Sequence, residues 1–157
     1  MKVSGKNSKS GEEFSQEAST INDTFIESMD VFDMTEEKAR KIIEGLDISA
    51  DAKSLLLTFS KATIRVGSQI IKIGRKIVEF VSQLFLDYPS ASFGMIFGAI
   101  AGFLVASIPI LGVVLGPIFT PLAILLGLAS GLSQDFKDKA LARRVAEINA
   151  KFNPLKG

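Results

Sequence analysis

Between Asp87 and Asp135 the chain carries no charged residue, an interval of 47 positions that constrains its fold more than any other feature. One crossing of a bilayer needs about 20 apolar residues, so this interval has room for two. Its text, YPSASFGMIFGAIAGFLVASIPILGVVLGPIFTPLAILLGLASGLSQ, divides at SIPILG, where Pro109 and Gly112 are turn formers. The sequence predicts one helix over residues 91–108 and a second over 111–132. Pro117 and Pro121 lie inside the second helix and predict a kink, which lipid tolerates where neighbouring groups satisfy the freed carbonyls. The alternative is a re-entrant dip over residues 109–121.

Small residues recur along both helices. Gly94, Gly98, Gly102 and Ala106 are spaced by four, which leaves one face of the first helix almost without side chains. The second helix repeats the pattern with Gly112 and Gly116, then with Ala123, Gly127 and Gly131. Smooth faces of this kind let helices approach closely in lipid, so these nine positions predict helix packing and assembly into a homo-oligomer. The simpler alternative is that the stripes only pack the hairpin against itself.

The flanks are basic. A single helix is expected from Ser49 to about Leu86, with Lys61, Arg65, Lys72, Arg75 and Lys76 spaced along it and Ile70, Ile73, Ile77, Phe80 and Leu84 on its apolar side. After the apolar block, Lys137, Lys139, Arg143 and Arg144 accompany Phe136, Ala140, Val145, Ile148 and Phe152 at helical spacing. Taken alone, such helices are those of a bundle with a solvated basic face. Next to the uncharged block they predict contact between these nine cations and anionic lipid headgroups. Basic residues gather on the cytoplasmic side of membrane spans, so both termini are expected there.

The N-terminal region is polar and acidic. Residues 1–33 predict a mostly disordered arm, with one short helix around Ile21, Phe25 and Met29; its Ser and Lys content also suits an unprocessed export signal. Thr35 before Glu36 and Glu37 is a helix start, and Gly45 a stop. The expected organisation is thus an arm (1–33), a helical region (34–87), a transmembrane hairpin (88–134) and a basic amphipathic helix with its tail (135–157).

No catalytic constellation is visible. Histidine and cysteine are both absent, which removes the usual general base, thiolate chemistry and the commonest zinc ligands. The sequence therefore predicts no enzyme, no cofactor and no metal. The basic stretch from Lys61 to Lys76 has little aromatic interleaving, so no nucleic-acid partner is expected either.

From Ser49 to Phe152, amphipathic helices enclosing the block SFGMIFGAIAGFLVASIPILGVVLGPIFTPLAILLGLASGL are similar in layout to pore-forming colicin domains and apolipoprotein-L-like proteins. The resemblance implies a helical domain that acts on a bilayer. Colicin domains shield their hairpin with many helices, and this chain has at most four, so a constitutive membrane resident is expected. The resulting expectation is an all-α integral membrane protein, a glycine-rich hairpin between amphipathic basic helices, that acts as an oligomerising effector permeabilising a bilayer. Two alternatives are an anchor that recruits a cytosolic protein through its acidic N-terminal region, and a membrane-shaping hairpin.

Overall fold

A computed structural model describes residues 1–128 and 138–156. The chain opens on a β-hairpin where a disordered arm was expected. Strands β1 (Lys2–Lys6) and β2 (Glu13–Glu17) pair antiparallel, with Lys2 opposite Glu17 and Lys6 opposite Glu13. Only one face of such a hairpin is covered, so only alternate residues need be apolar. Val3 and its neighbour Ser4 are buried, while Lys2, Lys6, Glu13, Ser15 and Glu17 are exposed. So few apolar residues, spread thinly among Ser, Lys and Glu, are what resembled disorder.

Three capped helices follow. In α1 (Asp23–Asp30) the Asn22 side chain accepts from the Phe25 amide, in α2 (Glu36–Glu44) Thr35 accepts from Lys38, and in α3 (Ala50–Ser60) Ser49 accepts from Ala52. The single long helix expected from Ser49 to Leu86 does not form. After α3 the chain makes a second hairpin, β3 (Ile64–Val66) and β4 (Gln69–Ile71), before α4 (Ile73–Asp87). Val66 pairs with Gln69 across Gly67 and Ser68, and Gly67 has φ +60°, which a two-residue hairpin turn requires at that position. Gly74 serves a different end: a Cβ there would sit 1.8 Å from the Phe59 carbonyl oxygen, so glycine alone lets α4 start against the end of α3.

The four strands form one antiparallel sheet in the order β2-β1-β3-β4. The fold is therefore mixed α/β, and the all-α assignment is corrected.

The apolar interval is also organised differently. Its first half is three consecutive five-residue pieces: α5 (Phe93–Phe97), a π-helical turn at Gly98–Gly102, and α6 (Phe103–Ser107). The chain reverses at Ile108, and α7 (Pro109–Leu125) runs back with Pro109 in its first turn. Proline suits that position because its missing amide would be unpaired there anyway. Helix α7 ends at Gly127, φ +71°, whose amide donates to Ile124 while that of Leu128 donates to Ala123. This is the Schellman arrangement that stops helices.

Helix α7 has 17 residues, roughly 25 Å of rise against a hydrocarbon layer of about 30 Å. Among the described residues no helix is long and apolar enough to cross a membrane. The transmembrane hairpin, the pore built from it and the membrane localisation with both termini on the cytoplasmic side are corrected accordingly. An apolar helix without a polar side has two destinations, a bilayer or the centre of a domain. Here it takes the second.

Ile110, Leu111, Leu115 and Leu122 of α7 are fully buried, and the helix lies between α3, α6 and the inner face of the sheet. Gly5 makes room for it: a Cβ at Gly5 would meet Val114 Cγ2 at 2.4 Å. Phe97 ties the layers together, with ring centroids 5.1 Å from Phe59 and 5.8 Å from Phe119. The last helix, α8 (Lys139–Lys151), packs on α4 and on the π-helical turn, where the Asn149 side-chain amide donates to the Ala99 carbonyl at 3.3 Å.

Gly74→Ala is expected to lower the unfolding free energy by about 3 kcal/mol, because backbone must move to admit the methyl group. Gly67→Ala should cost about 1 kcal/mol through its positive φ alone. Urea denaturation measures both, and a Gly74→Ala protein of unchanged stability would mean that α3 and α4 do not meet in this way.

Candidate ligand-binding cleft

Strands β1 and β3 are joined over two positions only, Val3 with Val66 and Ser4 with Arg65. In an antiparallel ladder every second residue exchanges both hydrogen bonds with its opposite number. The Gly67 amide donates to the Lys2 carbonyl, whereas the Asn7 amide donates to Glu12 on the β2 side. Lys2, Ser4 and Lys6 therefore direct their backbone groups toward β3. By this register Lys6 and Thr63 are the next pair, yet they stand outside the ladder. The sheet splits there.

The split opens into a cleft of about 420 Å³. Its floor is apolar, formed by Val114 and Ile118 of α7 and by Ile64 of β3. Ser4, Ser8, Thr58 and Thr63 stand in its walls. Lys6 from the end of β1, Lys61 from the cap of α3 and Arg65 from β3 line it with three cations against one carboxylate, Glu13. Ile70 of β4, 56% exposed, completes the lining on the outer side of the sheet.

Among the described residues the ion pairs lie elsewhere. They join the N-terminal amine to Glu17 at 2.9 Å, Lys41 to Glu37 at 3.8 Å, Lys76 to Glu79 at 3.6 Å and Arg144 to Asp87 at 2.5 Å. No group of acidic side chains among the described residues is gathered closely enough to hold a metal.

The cations expected to share one lipid-facing surface are dispersed. Lys61 and Arg65 reach the cleft, and Lys72, Lys139 and Arg143 are exposed on other elements. Arg75 lies 4.1 Å over the Phe32 ring and donates to the Met34 carbonyl at 3.1 Å. Lys76 is buried and donates to the Val31 carbonyl. Its partner Glu79 accepts from the Asp33 amide at 3.2 Å, so Arg75, Lys76 and Glu79 of α4 hold the link between α1 and α2 by three polar contacts. The Asp87 carboxylate, hydrogen-bonded to Arg144, holds that guanidinium above its ordinary pKa. Lys137 lies outside the described residues.

The small residues are likewise placed singly. Gly98 and Gly102 are buried in the π-helical turn, and a Cβ at Gly98 would stand 3.0 Å from Leu128. A Cβ at Gly94 would touch Leu126 at 3.8 Å. Gly112 faces the Val105 carbonyl, 2.9 Å from where its Cβ would be, and Gly116 faces the Val105 side chain at 3.9 Å. Ala106 is exposed, Ala123 is half-buried, and Gly127 is the helix stop described above. Pro117 and Pro121 are half-buried within α7, which runs through both as one helix. Gly131 lies outside the described residues. Lys6, Thr63 and Ile70 were not anticipated as lining residues, although the Val-Gly-Ser-Gln text of the second hairpin carries the turn signal that places two of them.

Comparison with known protein families, curated proteins and solved structures finds nothing that matches this chain.

Lys76→Met is expected to cost about 3 kcal/mol, since it leaves the Glu79 carboxylate buried without its cation. Pairing it with Glu79→Leu should recover most of that loss. Equal denaturation midpoints for wild type and the single variant would show the pair to be solvated.

Proposed function

We propose that this protein is a non-catalytic binding module whose ligand joins an anionic group to a short apolar segment. The observation that carries the reading is the cleft itself: Lys6, Lys61 and Arg65 line an opening whose floor is Val114, Ile118 and Ile64. Its volume of about 420 Å³ suits a small ligand, and apolar walls with a few placed polar groups are the ordinary composition of such sites. A guanidinium flanked by ammonium groups favours carboxylate or phosphate oxygens through charge-assisted hydrogen bonds. The apolar floor then adds affinity in proportion to the carbon surface it covers. Catalysis has little support in the residues present, because Glu13 is the one titratable acid in the lining and the chain has neither histidine nor cysteine.

Titration with anilinonaphthalene sulfonate, an aromatic anion whose fluorescence rises on binding, tests this reading. Saturable binding is expected, displaced by octanoate and far less by octylamine. The double variant Lys61→Gln, Arg65→Gln should weaken it at least tenfold while leaving the circular dichroism spectrum unchanged, since each charge-assisted hydrogen bond contributes about 1.5–3 kcal/mol. Equal displacement by octanoate and octylamine, or undiminished binding by the variant, would remove the basis for the proposal.

A further inference from the structure

We infer that the ligand is the carboxyl-terminal end of an extended peptide, an inference that rests on the binding-module reading and gives it a chemical class. The split between β1 and β3 supplies what a simple amphiphile would leave unused. By the alternation of the ladder the Lys6 amide and carbonyl face the gap, Thr63 stands opposite just before β3, and no backbone hydrogen bond joins the two. A fatty-acid chain offers nothing to those groups. An extended peptide offers alternating donors and acceptors with the repeat of a strand, which is how peptides add to exposed strand edges.

The side-chain chemistry agrees with this backbone argument. A terminal carboxylate has two oxygens that match a guanidinium fork, and Arg65 provides one beside the ammonium groups of Lys6 and Lys61. Successive side chains of a strand point to opposite faces. The cleft provides an apolar surface on each side of the sheet, Val114 and Ile118 within and exposed Ile70 without. The last residue and its predecessor thus have separate apolar sites, and the terminal residue is expected to be aliphatic.

The test uses the full chain and displacement of anilinonaphthalene sulfonate by three tetrapeptides of sequence acetyl-Thr-Ser-Val-Ile. The first has a free carboxylate, the second an amidated terminus, and the third a methylated amide nitrogen at its last residue. The free acid is expected to bind at least tenfold more tightly than octanoate, and amidation or methylation should each weaken it about tenfold. In nitrogen–proton correlation spectra the Lys6 and Thr63 amides should shift downfield with the free acid. Displacement by octanoate but not by any peptide, or indifference to methylation with unmoved Lys6 and Thr63 amides, overturns the peptide assignment and leaves the binding module standing. Failure of octanoate and the peptides alike overturns both.

Discussion

Helix α7 has no polar side, and the architecture follows from the need to cover most of its length, Ile124 and Leu125 at its end staying exposed. An exposed aliphatic surface costs about 25 cal/mol for each Å² left in water, so a helix of this composition is unstable unless surrounded. The sheet supplies one wall, α3 another and α6 a third, and the sheet and α6 approach closely because a glycine stands at each contact. Gly5 admits α7 to β1, and Gly112 admits the Val105 backbone. Elements with little apolar surface of their own, above all the β1–β2 hairpin, acquire stability from the helix they cover.

The same constraint leaves the sheet incomplete. Strand β1 must follow α7 closely enough for Gly5 to touch Val114, while β3 is tied to the end of α3, where Gly74 holds the start of α4 against Phe59. Two strands held by different helices remain paired at Val3 and Ser4 and part beyond them. The cleft is thus a product of the packing that makes the domain, and its floor is the helix that the domain exists to bury. Substitutions in α7 at Val114 or Ile118 therefore act on stability and on the shape of the cleft together.

Much of the local structure was legible in the sequence. The Thr35–Glu36–Glu37 start and the Ser49 start are set by side-chain chemistry within a few residues, whereas the reversal expected across SIPILG is tighter, with Pro109 and Gly112 inside α7 instead of in the turn. The destination of the apolar interval was not legible, because an apolar helix reads identically whether protein or lipid surrounds it. Spacing also misled where one residue type does several things. Gly98 lies in a π-helical turn, Gly112 admits a backbone and Gly127 ends a helix, yet all three read as members of regular stripes. Lys6 and Thr63 were invisible as a pair, since their relation depends on a ladder between segments nearly 60 residues apart. Their signal is the absence of a bond, which no local pattern encodes.

The chain order of this packing bears on how the protein is made. Strand β1, β2 and α3, which enclose much of α7, all precede it in sequence. Translation delivers residues from the N-terminus at about 5–20 per second, so this part of the shell has left the ribosome before Pro109 appears. The most aggregation-prone segment therefore emerges facing a partly built receptacle instead of open water. The contact in which the Gln16 side chain donates to the Leu155 carbonyl at 2.7 Å forms later, since it waits for residues that follow α7 in the chain. A circular permutant that began at α5 would carry the same native contacts and lose this order of events, releasing its apolar helices with nothing yet made to receive them.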